Sequence, residues 1–358
     1  MITMVNYFRK FNFLQCEFIS DISFLIQRIS NTKNKAPRDN RSTFFSPVNH
    51  SRFIDIIIPT YNRSSTVIIF LVNLLVKQIK PEDSITIVWQ NHEKPPGFDY
   101  SRVNIIHLNR PNLPAARNIG LHSGKNDIVL YLDDDIIPQK GFLDAHRKCY
   151  DNPRTGAVAG FIHDPVFRAS DKPSSFDYRT CQLIQNFSCN ISQKTISFMG
   201  ANMSFKRTAL ENIGGFNTNF IHNALWEEID CAFRLLNAGF NILFCADAKV
   251  NHLQLPDGGC RTDKDSKYIF HLFANTTFFS CTYIPLIYFR DWFRFWKNRL
   301  EFLSRKNNKT DNKNSISYRY NYIIAGFLGI LTGFLRFFLH GKKQKLPLDV
   351  IKNSGNKT

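Results

Sequence analysis

Between residues 52 and 252, short continuous apolar runs alternate with longer periodic ones. "FIDIIIP" is a β-branched run closed by proline, the pattern of a strand buried on both faces. "SSTVIIFLVNLLVKQIKP" then offers Ser/Thr cap candidates, a long apolar helix and a proline stop. "SITIVWQ" and "VNIIHL" predict two more strands, "NLPAARNIGLHSG" a short helix ending at Gly124, and "DIVLYL" a fourth strand. Beyond these, "GAVAGFI" reads as a strand and "FMGANMSFKRTALENIGGF" as a strand leading into a short helix. "WEEIDCAFRLLNAGF" predicts a helix with Ile229, Ala232, Phe233 and Leu236 on one face and Gly239 at C′. "NILFCADAKVNHL" reads as a final strand pair. Strands alternating with helices predict a parallel α/β sheet, in which ligands bind beyond the carboxyl ends of the strands.

The two ends of the chain read differently. Residues 1–51 predict a short amphipathic helix over 1–30 and then a polar, basic linker punctuated by proline. From Tyr283, "YFRDWFRFWKNRLEFL" mixes aromatics with Arg and Lys, and "KNNKTDNKNS" is a polar linker. "YIIAGFLGILTGFLRFFL", residues 322–339, is mostly apolar but contains Arg336, and "GKKQK" follows. The expected organisation is therefore an N-terminal helix and linker (1–51), an α/β domain (52–282) and a basic, aromatic helical tail (283–358).

Composition sharpens this picture at two points. The formal net charge is +17, and the stretch from Tyr283 onward contributes +11 of it, with fifteen Lys/Arg against four Asp/Glu. Such an excess suggests an anionic partner: nucleic acid, an acidic membrane or a phosphorylated substrate. Its place in an aromatic tail with no recognisable nucleic-acid module argues against nucleic acid. A membrane span needs roughly 20 apolar residues, so 322–339 is at the short end. Three readings of the tail stay open: a helix lying on an anionic membrane through 283–345, a helix packed on the α/β domain, or a span. In a span, Arg336 near its end would snorkel. "GILTG" adds a weak G-x-x-x-G match. The eight cysteines show no metal-ligand spacing and read as reduced thiols of a cytosolic protein. At the N-terminus Glu17 and Asp21 interrupt the only apolar run, so no secretory leader is expected.

The chemistry concentrates in "VLYLDDDIIP". Adjacent carboxylates repel, and burying them is costly. In an extended chain Asp133 and Asp135 face the same side. Two such carboxylates make a hard-oxygen site for Mg²⁺ or Mn²⁺, whose shell phosphate oxygens and water can complete. A turn or helix cap is the plainer alternative.

Taken in order, "DIIIPTYNR", "NLPAARNIG", "DIVLYLDDDIIP", "GANMSFKR", "GGF", "WEEIDCAFRLLNAGF" and "KVNHL" resemble the family-two glycosyltransferases of the GT-A fold, over roughly residues 53–275. The resemblance implies a mixed, mostly parallel sheet flanked by helices, here with a C-terminal helical extension. It implies inverting transfer of a sugar from a nucleotide-sugar to a hydroxyl of a glycan or lipid-linked acceptor. The acids would be the D-x-D element, with Asp135 the direct metal ligand, Asp133 near the ribose and metal, and Asp134 on the donor side. His252 matches a position that often supplies a second metal ligand; a structural histidine is the alternative. Glu228 falls where the catalytic base is expected, as Glu in place of Asp, with Asp230 as fallback. Glu227 and Trp226 would meet the acceptor, although Glu227 and Glu228 would also suit plain helix capping and Trp226 a core position. Pro59, Thr60, Tyr61 and Arg63 would cup the nucleotide, and Arg117 and Asn118 would face it. Arg261, in the loop "LPDGGCRTD", would reach the diphosphate. One departure is clear. The family's Asp-containing turn after the second strand is replaced by "VWQNHEKPP", leaving Gln90 or Asn91 to read the base and the nucleotide's identity open. The expected location is cytoplasmic, peripheral at the inner face of the membrane. A non-catalytic relative that binds nucleotide-sugar or membrane is the competing function.

Overall fold

The computed structural model describes residues 52–91, 95–98, 101–164, 171–172, 174–259, 266–306 and 316–347. The helix and linker expected over 1–51, Arg261, Cys16, Cys260 and residues 307–315 lie outside them. The described residues fall into two compact units. The larger lies within Asn49–Arg261, with Tyr283–Phe293 and the chain from Gln344; the smaller lies within Thr262–Thr282 and Arg294–Lys343.

In the larger unit the chain runs β1 (Ile54–Thr60), α1 (Ser65–Leu75), β2 (Ser84–Trp89), β3 (Val103–His107), α2 (Leu113–Ser123), β4 (Ile128–Tyr131) and β5 (Ile136–Pro138). It continues through α3 (Phe142–Cys149), β6 (Thr155–His163), β7 (Ser175–Asp177), β8 (Gln182–Ile184) and β9 (Gln193–Thr195). It closes with β10 (Met203–Lys206), α4 (Arg207–Asn212), α5 (Glu227–Asn237) and β11 (Asn241–His252).

Strand β1 is buried at every position, as its unbroken apolar run requires of a central strand. The Ser64 hydroxyl accepts from Thr66 N–H to cap α1. Asn112 Oδ1 accepts from Ala115 N–H at 2.8 Å to cap α2, with Pro114 in the first turn, where a missing N–H is tolerated. Gly239, at φ +86°, ends α5 as the sequence predicts.

Nine of the described strands form one mixed sheet in the order β3-β2-β1-β4-β10-β6-β11-β5, with β9 also on β11, and β7 and β8 form a separate antiparallel pair. Strands β3, β2, β1 and β4 are parallel. Strand β10 runs antiparallel between β4 and β6, and β6 and β11 are parallel. The direction of the sheet thus changes at β4, and the crevice beyond the end of β4 is where such sheets bind ligands.

Two features differ from the expectation. "NILFCADAKVNHL" forms one strand, β11, rather than a pair. Its register on β6 slips between Cys245 and Lys249, so the polar interruption is absorbed as a bulge. Strand β5 is too short to carry a periodic signal and exists because it pairs with the end of β11.

The smaller unit is built on α6 (Ser266–Tyr283), on α7 (Phe289–Lys306) from Arg294 onward and on α8 (Ile316–His340). Helix α8 is long and apolar enough to cross a membrane, by length and composition. Its G-x-x-x-G is used within the chain: a Cβ on Gly333 would stand 2.5 Å from both the Ala274 carbonyl and Thr277 Cβ of α6. Arg336 follows on the same face and is carried inward with it. It is buried and its Nη1 lies 3.5 Å from Asn275 Oδ1, rather than snorkelling outward. Ile323, Phe327 and Leu331, spaced four apart, are exposed.

Candidate active site

The acids follow β4 without a break: Leu132 N–H still donates to Ile57 O, and the next three residues turn the chain into β5. Strand β5 then pairs with β11 so that Ile136 stands opposite His252. This pairing carries the histidine to the acids. Asp133, Asp135 and His252 each offer one ligand atom, and those atoms all lie within 4.8 Å of one another.

Asp134 points away from the group. Its oxygens accept from Thr60 Oγ1 at 2.7 Å and from Arg63 Nε at 2.8 Å. Burial is the strongest influence on this carboxyl and pushes its pKa up to about 6, against the pull of the Arg63 charge and the Thr60 hydrogen bond. Asp133 is also raised, first by burial and further by Asp135 and Glu228, with Arg117 and His252 opposing. Asp135 is held on several sides. Its Oδ1 lies 3.2 Å from His252 Nε2, and its Oδ2 accepts from Leu255 N–H at 3.0 Å and lies 3.5 Å from Arg63 Nη2. Burial alone would lower the His252 pKa. The Asp135 hydrogen bond and the charges of Asp133 and Asp135 outweigh it, with a further contribution from Asp164, so the net shift is upward.

The turn after His252 lies against the turn after β1. Gly259 N–H donates to Tyr61 O at 2.7 Å, and Arg63 Nη1 donates to Asp257 O. Gly258 is required here twice over. Its φ is +80°, and a Cβ would come within 2.6 Å of Asn62 O. Pro59 and Thr60 are buried at the end of β1, and Tyr61 is half-buried.

Helix α5 brings the second set of acids. Trp226 sits before it at φ +78°, its ring edge-on to Phe176 at 6.4 Å. Glu227 is buried and forms an ion pair with Arg117 Nη1. Glu228 Oε1 accepts from Gly200 N–H at 2.7 Å and lies 3.3 Å from Arg117 Nη2. The Glu228 side chain is 25% exposed against 2% for Glu227, so Glu228 is the acid that a substrate can reach.

Several residues expected at the nucleotide or in catalysis are engaged by the protein itself. Arg117 is buried, shared between Glu227 and Glu228, and 5.3 Å over the Phe216 ring. Asn118 clamps Phe216, giving to its carbonyl at 2.8 Å and taking from its N–H at 2.7 Å. Gln90 accepts from Asn112 N–H at 2.8 Å, and Asn91 braces Asn62 N–H and the Arg63 carbonyl. Asp230 is bound by Arg234 Nε at 2.8 Å and by the Tyr283 hydroxyl at 2.9 Å. The common physical reason is burial: a polar side chain shut away from water must find partners, and these find them in the backbone and in charges nearby.

The site also contains residues that sequence reasoning passed over. Gly200 supplies the amide to Glu228, and Asp164 Oδ2 lies 2.9 Å from His252 Nδ1. "FMGAN" contains the former, but nothing in the spacing marks the latter.

Residues 55–214 match the family model described as glycosyl transferase family 2. The chain is 27% identical over 207 residues to the O-antigen chain rhamnosyltransferase WbaN of Salmonella anatum, covering 55% of this chain and 65% of that protein. It is 25% identical over 202 residues to the glucosyl-dolichyl phosphate glucuronosyltransferase of Haloferax volcanii, covering 50% and 62%. The chain therefore spans less than two thirds of either relative. In fold it resembles the solved structure of GalNAc-T7 with UDP, GalNAc and Mn²⁺, with a TM-score of 0.53, 12% identity, and coverage of 81% of this chain and 58% of that one.

Proposed function

We propose that the chain, whose residues 55–214 match the model of glycosyl transferase family 2, is a member of that family and transfers a sugar, with inversion, from a nucleotide-sugar to a hydroxyl of a glycan or lipid-linked glycan. The observation that carries this reading is the grouping of Asp133, Asp135 and His252 beyond the end of β4. The relatives' names support a glycan acceptor.

The donor set fits a divalent cation. Two carboxylates and one imidazole within a few ångströms are hard and borderline ligands suited to Mn²⁺ or Mg²⁺. Asp133, Asp135 and His252 would hold the ion. When bound, it supplies a Lewis acid against the charge that develops on the leaving diphosphate. Pro59, Thr60, Tyr61 and Arg63 form the donor wall, and Asp134 locks Thr60 and Arg63 to it. Arg261 remains a donor contact in this reading. Gln90, Asn91 and Asn118 shape the wall from behind, and Arg117 supports the acids.

Glu228 takes the acceptor proton. Gly200 N–H and Arg117 both engage Oε1, which fixes the carboxylate in place. Glu227 and Trp226 border the acceptor side, and Asp230 stiffens α5 through Arg234 and Tyr283. The parts of this reading correspond to chain segments: 52–282 is the catalytic domain, preceded by 1–51 and followed by the tail. Through 283–345 the tail meets anionic membrane from the cytoplasmic side, supported by Leu286 and Ile287 at 78% and 81% exposure and by exposed Arg290 in the same turn and helix start.

The test is a thermal-shift screen with UDP-, GDP-, dTDP- and CMP-sugars, with and without Mn²⁺, followed by transfer assays with the donor that binds. Asp135→Ala is expected to abolish the metal-dependent part of donor binding. Glu228→Gln is expected to keep donor binding and to lower turnover by about 10²–10⁴-fold, the worth of a general base. If no nucleotide-sugar shifts the melt and none is consumed, the proposal is wrong. Metal-dependent binding with no turnover on any acceptor would favour the non-catalytic alternative.

A further inference from the structure

His252 stands between two carboxylates. Its Nε2 lies 3.2 Å from Asp135 Oδ1 and its Nδ1 lies 2.9 Å from Asp164 Oδ2. A neutral imidazole carries a single N–H, so it donates to one carboxylate and turns a lone pair toward the other. An imidazolium would donate to both; with the ring neutral, the arrangement is satisfied when a cation sits on the side that lacks the proton. Asp135 and Asp133 belong to the grouping that can hold an ion; Asp164, on the opposite nitrogen, does not. This geometry distinguishes the two sides of the ring.

The fold explains how Asp164 comes to be there. It follows directly on β6, whose last residue, His163, stands opposite Asn251 of β11 in parallel register. The carboxylate is therefore delivered beside His252 by strand pairing. It is buried, and its second oxygen, Oδ1, accepts from Gln254 Nε2. Gln254 adopts φ +51°, an uncommon backbone state for a non-glycine residue. One carboxylate thus serves the histidine while the other end of it is fixed by a side chain two residues beyond that histidine.

We propose that Asp164 is a positioning residue for the metal site: it holds the proton of His252 on Nδ1, orients the ring and leaves the Nε2 lone pair to a divalent cation shared with Asp133 and Asp135, while Gln254 holds Asp164 in place. This rests on the metal reading proposed above. A carboxylate behind a ligating imidazole fixes its tautomer and raises its basicity, and losing such a partner typically costs about 10–100-fold in metal affinity.

The experiment measures Mn²⁺ affinity of the full chain by the electron paramagnetic resonance signal of free Mn²⁺, with no sugar donor present. Asp164→Leu, which removes the acceptor, is expected to weaken binding by about 10–100-fold. Asp164→Asn keeps a neutral acceptor and is expected to recover part of the loss. Gln254→Leu leaves every ligand and Asp164 intact and is expected to weaken binding less than Asp164→Leu. The decisive arm repeats Asp164→Leu in a His252→Ala background. If Asp164 acts through the histidine, the second substitution costs no further affinity there. An equal loss in both backgrounds would mean a general structural role and would overturn the proposal. Should Asp164→Leu fail to fold, Asp164→Asn and Gln254→Leu are read in the same two backgrounds. Wild-type protein that binds no Mn²⁺ would instead sink the metal reading itself, and this inference with it.

Discussion

Glu228 is held through one oxygen, and the residue that holds it most closely has no side chain. A Cβ on Gly200 would stand 2.0 Å from Arg117 Nη2 and 2.8 Å from Glu228 Oε1. Gly200→Ala should therefore displace both groups and lower turnover while leaving donor binding near the wild-type value. Measuring kcat beside the donor Kd separates the two, and an unchanged kcat would show that Glu228 does not depend on this contact. At this scale the sequence marked the acids that come together, but a turn, not strand alternation, sets their directions. Asp133 and Asp135 fall on one side and Asp134 on the other, although Asp134 and Asp135 lie in the turn between β4 and β5 rather than in an extended strand. The sequence was not legible for Arg117, Asn118, Gln90 and Asn91, because which polar groups are consumed internally depends on neighbours far away in the chain. Arg117 meets Glu228 across 111 residues.

At the scale of elements, helices and strands followed their apolar runs and caps, but the length and pairing of β5 and β11 did not. Behind this edge of the sheet, α3 sets His146 against β10. Its Nδ1 lies 2.8 Å from Ser204 Oγ and its Nε2 lies 2.8 Å from Asn202 Oδ1. Burial drives the pKa of this imidazole from its ordinary 6.5 down to about 4; the Asn202 hydrogen bond opposes that shift and the Arg147 charge adds to it. The unfolded chain binds a proton here at a pH where the folded chain does not. The contribution to stability is thus complete above about pH 6.5 and falls away as pH drops toward 4, by on the order of 3 kcal/mol in all. Thermal unfolding followed from pH 7 down to about 4.5 should show the melting temperature falling more steeply for wild type than for His146→Gln. Parallel curves for the two proteins would assign the acid sensitivity to other groups.

For the molecule as a whole, charge is the property that composition reports most directly. The chain carries +17, mostly from the tail, and its described tail residues include exposed apolar side chains on α7 and α8. The full chain should sediment with phosphatidylserine-rich vesicles at low salt and much less with phosphatidylcholine vesicles. Raising salt shortens screening from about 10 Å at 0.1 M to about 3 Å at 1 M and should release it. Ile287→Glu should weaken the binding without changing donor hydrolysis. Equal binding to both lipids would remove the electrostatic part of the argument.

The order of apolar runs, caps and stop signals was enough to establish an α/β sheet, the acids at the end of its fourth strand and the resemblance to glycosyltransferase family 2. Those are local properties, because hydrophobic period and turn chemistry act over a few residues. Which acid is reachable, which arginine is already paired, and that Asp164 stands behind His252 were decided by strand pairing and burial. These bring together residues whose separation in sequence carries no periodic trace.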